Sequence, residues 1–133
     1  MPITHIGEAE FEEFVTSNKL AVIDFSATWC GPCKMLGEAL EQILAEDLPD
    51  LIIGKVDIDE SRGLADTFQI EGVPTLMFFL NGKRVCFRSD NGDMDRIVGA
   101  VPKEPLTDLL KSLTEEAEKG DGAEDACDAG DDE

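Results

Sequence analysis

Val22-Ile23-Asp24-Phe25-Ser26-Ala27-Thr28-Trp29-Cys30-Gly31-Pro32-Cys33-Lys34-Met35 joins two kinds of local pattern. Residues 20–27 form a nearly unbroken apolar run with β-branched members, as in a strand buried on both faces. Beyond Gly31 the pattern turns helical to about residue 46, with Leu36, Leu40, Ile43 and Leu44 on one stripe. Gly31 permits a sharp bend, and Pro32 suits a first helical turn, where a missing N–H costs little. Cys30 therefore falls at a helix N-terminus, where unpaired N–H groups and the helix dipole favour a thiolate. The thiolate is the attacking species in disulfide exchange. A spacing of three puts Cys33 on the same side of the helix, in position to resolve a mixed disulfide at Cys30.

Asp24 lies six residues upstream, inside the buried run. An isolated buried carboxylate is costly, and its usual response is a raised pKa. That makes it a candidate proton acceptor for Cys33. Lys55, embedded in Ile52-Ile53-Gly54-Lys55-Val56, could sit on a neighbouring strand and pair with it. A structural ion pair, or a strand-edge Asp facing solvent, accounts for the same residues equally well.

Outward from this stretch, strand and helix signals alternate. Residues 8–18 read as a short amphipathic helix burying Phe11, Phe14 and Val15, and residues 51–58 as a second buried strand. Residues 61–69 suit a short helix with Leu64, Ala65 and Phe68 inward. Residues 75–80 form a third buried strand, closed by Asn81-Gly82, a strong hairpin signal. The return strand starts near Lys83, with Val85 and Phe87 on one face. A last helix spans about residues 103–118, burying Leu106, Leu109, Leu110 and Leu113. Strands linked by helices favour a largely parallel α/β sheet covered on both faces, with an antiparallel edge at the hairpin.

The expected organisation is one domain over residues 1–118, followed by an acidic tail, 119–133, too poor in large apolar residues to order itself. Net charge is −19, of which residues 115–133 contribute −9. Nucleic acid and anionic membrane gain affinity mainly from Lys and Arg, so neither is expected as a partner. No apolar run approaches a membrane span, and the N-terminus lacks a signal-peptide pattern, so a cytoplasmic location is expected. In that compartment a lone C-x-x-C points to redox or metal chemistry rather than a lasting disulfide. Zinc would want four ligands, and only Cys86, Cys127 and His5 remain, scattered along the chain, so no metal is expected. His5, the single histidine, stands beside no partner and reads as a surface or edge-strand residue, not as the base of a Cys–His nucleophile.

The Trp29–Cys33 core with Asp24 upstream, Lys55-Val56-Asp57-Ile58-Asp59, Gly72-Val73-Pro74-Thr75 and Val98-Gly99-Ala100 resembles the thioredoxin family in order and spacing over roughly residues 2–118. The resemblance implies a three-layer αβα thioredoxin fold, a central mixed five-stranded sheet flanked by four helices. It implies Cys30 as exposed nucleophile, Cys33 as resolving thiol, and Asp24 with Lys55 as a buried proton-handling pair. It implies a cis bond at Val73–Pro74, leaving the Val73 backbone free to pair with an extended substrate. Trp29, Gly31, Pro32, Val73, Val98 and Gly99 would form a flat apolar patch around the sulfurs, Pro74 adjoining it. Electrons would come from NADPH through a separate thioredoxin reductase. No cofactor would be bound here beyond the redox-active disulfide, and no Gly-rich dinucleotide motif is present.

Three features depart from the family. Glu38 replaces a frequent mid-helix Pro, with Gly37 before it. About nine extra residues lie around positions 88–95, as a long loop or an enlarged edge hairpin, and their acids match no calcium-loop spacing. The tail carries Cys127, an inert thiol or a partner for Cys86 or another chain under oxidation, while Cys86 alone reads as a packed hydrophobe. The lead reading is a monomeric general reductase of disulfide-containing target proteins. An oxidant or isomerase would usually carry His between the cysteines. A redox-sensing binding module or subunit of the same fold is the alternative.

Overall fold

The computed structural model describes residues 3–17, 19–44, 51–89 and 92–119. In chain order the elements are β1 (Thr4–His5), α1 (Glu8–Thr16), β2 (Leu20–Ser26), α2 (Gly31–Leu44), β3 (Leu51–Asp57) and α3 (Arg62–Thr67). They continue with β4 (Thr75–Leu80), β5 (Lys83–Arg84), β6 (Phe87–Ser89), β7 (Gly92–Met94), β8 (Arg96–Val98) and α4 (Lys103–Lys119). Gly37 does not interrupt α2. Of the expected tail, residues 120–133, with Cys127, lie outside the described residues.

The main sheet runs in the order β1-β3-β2-β4, with β5 and β8 both on the outer edge of β4. β1, β3 and β2 are mutually parallel, whereas β4 runs antiparallel to β2. A largely parallel sheet was the expectation from element order alone; the reversed β4, antiparallel to β2 in the middle of the sheet, corrects it. β4 starts at the end of the sheet where β3 stops, with Thr75 beside Phe25 and Phe25 beside Val56. The sheet is mixed, as the family resemblance implies.

Asn81 and Gly82 have φ of 52° and 86°, the paired positive values of a two-residue hairpin turn. The return strand behind them is split. Arg84 pairs with Phe79 and Val98 with Thr75, so β5 and β8 are two pieces of one fifth strand position. The extra residues leave the sheet between them as a separate β6–β7 hairpin, with Phe87 opposite Met94. Phe87 thus does not continue the edge strand beyond Val85; the insertion diverts it.

Strand alternation divides the core in two. Leu20 and Val22 of β2, Leu51 and Ile53 of β3, and Leu76, Phe78 and Leu80 of β4 meet Leu36, Leu40 and Ile43 of α2 and Leu106, Leu110 and Leu113 of α4. Ala21, Ile23 and Phe25 of β2, Val56 of β3, and Met77 and Phe79 of β4 meet Phe11 and Val15 of α1, with Leu64 and Phe68 from α3 and its end. Every residue of β2 and β4 is buried, as strands covered on both faces require.

Candidate active site

The chain leaves β2 at Ser26, turns with Cys30 N–H donating to the Ala27 carbonyl at 3.2 Å, and enters α2 at Gly31. Cys30 and Cys33 are joined as a disulfide, with Cα atoms 5.3 Å apart. The backbone N–H of Cys33 donates to Cys30 Sγ at 3.1 Å. An orphan donor of the first helical turn is thus aimed at that sulfur, and together with the dipole of a 14-residue helix it would stabilise negative charge there. Family resemblance implies an exposed Cys30. In the disulfide form Cys30 is 5% exposed and Cys33 2%, because Ala27, Ile58 and Val73 pack around both.

Val73–Pro74 is cis, and the Val73 carbonyl oxygen lies 3.7 Å from Cys30 Sγ. The disulfide sulfur has no proton to donate, so this is a contact rather than a hydrogen bond. Thr75 Oγ1 donates to the Gly72 carbonyl at 2.6 Å, and Gly99 N–H to the Pro74 carbonyl at 2.8 Å. Gly99 needs its φ of 105° to turn the chain there. Because Thr75 pairs with Val98, the end of β8 lies against the cis-proline loop. Trp29 and Val98 are 68% and 59% exposed, Gly31 and Pro32 are exposed, and Val73 and Gly99 are half-buried. Pro74 itself is buried.

Asp24 shares its sheet face with Leu20 and Val22, the face that α2 covers. Lys55 is its register partner on β3, and by the same alternation lies on the same face as Ile53. The two are neighbours, yet neither carboxylate oxygen of Asp24 has a hydrogen-bond partner. Burial pushes the Asp24 pKa from its ordinary 3.8 up to about 6, and the positive charge of Lys55 opposes that rise. The carboxyl therefore changes its protonation state closer to neutral pH than an exposed Asp does.

Sequence reasoning gave no role to three residues that shape this region. Asp59 Oδ2 accepts from Trp29 Nε1 at 2.9 Å and fixes the exposed indole. Its only sequence signal is its place in the run from Lys55 to Asp59. Ile58 closes the apolar side of the disulfide. Arg96 reaches the carbonyls of Phe68 and Gln69 at 2.6 and 3.3 Å, a contact between distant segments that no local pattern reports. Within the insertion, Asp95 is engaged by Arg84 and Arg96. No group of three or more His, Cys, Asp or Glu is gathered for a metal among the described residues.

The thioredoxin family profile matches residues 2–112. A thioredoxin of Mycobacterium tuberculosis is 42% identical over 109 residues, covering 81% of this chain and 86% of that protein. A thioredoxin of Mycoplasmoides gallisepticum is 38% identical over 105 residues, covering 79% and 95%. A solved thioredoxin variant from Halobacterium salinarum superposes with a TM-score of 0.68 at 34% identity, covering 85% of this chain and 90% of that one.

Proposed function

Because the chain belongs to the thioredoxin family and is a thiol–disulfide oxidoreductase, we propose that it acts as a general reductase of protein disulfides. The observation that carries this reading is the Cys33 N–H aimed at Cys30 Sγ, with the Val73 carbonyl on the other side of that sulfur. In the dithiol form the Cys30 thiolate attacks one sulfur of a target disulfide. A Cys30–target bond forms, and the displaced target sulfur leaves as a thiolate that water protonates. Cys33 then gives up its proton, with Asp24 as acceptor and Lys55 as the neighbouring charge, and its thiolate attacks Cys30 Sγ. The mixed disulfide breaks, the second target sulfur leaves, and the Cys30–Cys33 disulfide forms. Two electrons have passed to the target. They return from NADPH through a separate thioredoxin reductase, with no cofactor bound to this chain.

Trp29, Gly31, Pro32, Val98 and Gly99 receive the target's surface, while Val73, set by cis-Pro74, pairs with its extended backbone. The working unit is the monomeric domain of residues 1–118, in the cytoplasm, with the acidic segment 119–133 as an appendage. Among the described residues no helix is long and apolar enough to cross a membrane.

The test is reduction of insulin disulfides with dithiothreitol as donor. Wild type should turn over rapidly and Cys30→Ser should fall to the background rate. A folded wild-type protein with no activity above background would move the reading to a redox-sensing binding module.

A further inference from the structure

We infer that Arg96, on the far edge strand, is a positioning residue that holds the cis-proline loop in register for polypeptide targets. The argument starts at the end of α3. Phe68 and Gln69 follow its last turn, with Gln69 in the left-handed region at φ 54°. Carbonyls at a helix end have no partner within the helix and carry the negative end of its dipole. Arg96 Nη1 satisfies both, donating to Phe68 O at 2.6 Å and reaching Gln69 O at 3.3 Å.

The guanidinium is itself oriented. Asp95 grips it side-on, with Nε–Oδ1 at 2.8 Å and Nη2–Oδ2 at 3.3 Å, a two-point geometry that an ammonium could not reproduce. Arg84 of β5 binds the same carboxylate at 3.3 Å. The two pieces of the split edge strand are thus joined through Asp95, at the place where the insertion separates them.

From β8, then, two clamps fall on one loop. Arg96 holds its start at Phe68 and Gln69, and the Gly99 N–H holds its end at Pro74 O. Between them lies Val73, whose carbonyl faces the active sulfur. The Gly99 clamp is backbone, but the Arg96 clamp is a side chain and can be removed alone. The N–H groups of Phe68, Gln69 and Ile70 stay bonded to the Leu64, Asp66 and Ala65 carbonyls, so losing Arg96 loosens the loop where it leaves them, and adds conformational entropy that a target must remove before its backbone pairs at Val73. A small aromatic disulfide has no backbone to pair and needs only the two cysteines, Cys30 to attack and Cys33 to release the second thiolate. The inference rests on the reductase reading, so both substrates belong in one experiment.

Steady-state insulin reduction and the reduction of dithiobis(nitrobenzoate) by pre-reduced protein are compared in wild type, Arg96→Met and Arg96→Lys. For Arg96→Met the insulin KM is expected to rise about five- to tenfold, with kcat and the small-disulfide rate changed by no more than about twofold. Arg96→Lys keeps one donor for Phe68 and should recover roughly half of the loss on a logarithmic scale. Equal losses on both substrates, or an unchanged insulin KM, overturn the inference. Should Arg96→Met fail to fold, Asp95→Asn, which loosens the guanidinium without removing it, makes the same comparison with an insulin KM raised about two- to threefold. An unchanged KM in that variant is equally fatal. A wild type that reduces the small disulfide but not insulin removes the reductase reading, and this inference with it.

Discussion

Asp24 is the residue at which stability and function pull apart. Its carboxyl is fully buried without a hydrogen-bond partner, and its pKa stands at about 6 rather than 3.8. In the unfolded chain the group ionises near 3.8, whereas the folded protein keeps the proton until about pH 6. Raising the pH across that interval therefore costs the native state stability, and the penalty is complete above it. A shift of about two units corresponds to about 3 kcal/mol. Asp24→Asn is nearly isosteric and cannot ionise, so whatever fixed cost its buried amide brings is the same at every pH. Urea unfolding of the disulfide forms at pH 3.5 and pH 8 should show the variant gaining about 2–3 kcal/mol on wild type between the two. A constant difference would mean that the group ionises freely in the fold. A reductase tolerates this cost if it needs a proton acceptor for Cys33 that works near neutral pH, and that is the role proposed for it.

Among the elements, β3 is the one whose packing a single atom can test. Gly54 faces the α1 side of the sheet, and a Cβ there would lie 2.8 Å from Phe14 Cε2 and 2.9 Å from Ile6 Cδ1. Ile6 is buried and Phe14 half-buried against the same cluster, and both would have to shift to admit the methyl group, so Gly54→Ala should lose about 1–3 kcal/mol in urea titration. The strain falls on the face away from α2, so insulin turnover per folded molecule should stay within about twofold of wild type. A variant as stable as wild type would show that α1 can shift to admit the methyl group. The same elements show what periodicity could deliver. Buried runs gave β2, β3 and β4 to within a residue, and the apolar stripe of α2 was legible because helix amphipathicity is a property of one segment. β1 was not, since two exposed residues, Thr4 and His5, carry no period and are ordered only by pairing with Gly54 and Lys55. Neither the direction of β4 nor the split of the fifth strand, at an insertion with no apolar rhythm, is written in the periodicity of any one segment. At the site the cysteines and Asp24 were readable from local pattern. The cis-proline loop was readable only through family resemblance. The bonds that Asp59 and Arg96 make were not readable, because their partners lie 30 and 27–28 residues away.

The molecule as a whole carries a net charge of −19, with 30 acidic residues against 11 basic ones. The domain up to Lys119 holds 23 of the acids and all 11 bases, a charge of −12, which folding confines within a radius of gyration of about 14 Å, against about 35 Å unfolded. Like charges are therefore driven together by folding, a cost that ion pairs such as Asp95 with Arg84 and Arg96 offset only locally. Salt weakens this repulsion more in the compact state than in the extended one, because the Debye length, about 30 Å at 0.01 M, falls to about 10 Å at 0.1 M. The melting temperature is accordingly expected to rise by about 3–6 °C between 10 mM and 200 mM NaCl. Seven of the acids lie beyond Lys119, so a chain ending at that residue should start from a higher melting temperature at low salt and respond less to added NaCl. Calorimetry of both chains, each with the Cys30–Cys33 disulfide intact, measures the four values needed. A melting temperature that falls with salt would show that attractive pairs outweigh the net repulsion. Identical salt responses in the two chains would place the repulsion in the domain and not in the acidic segment that follows it.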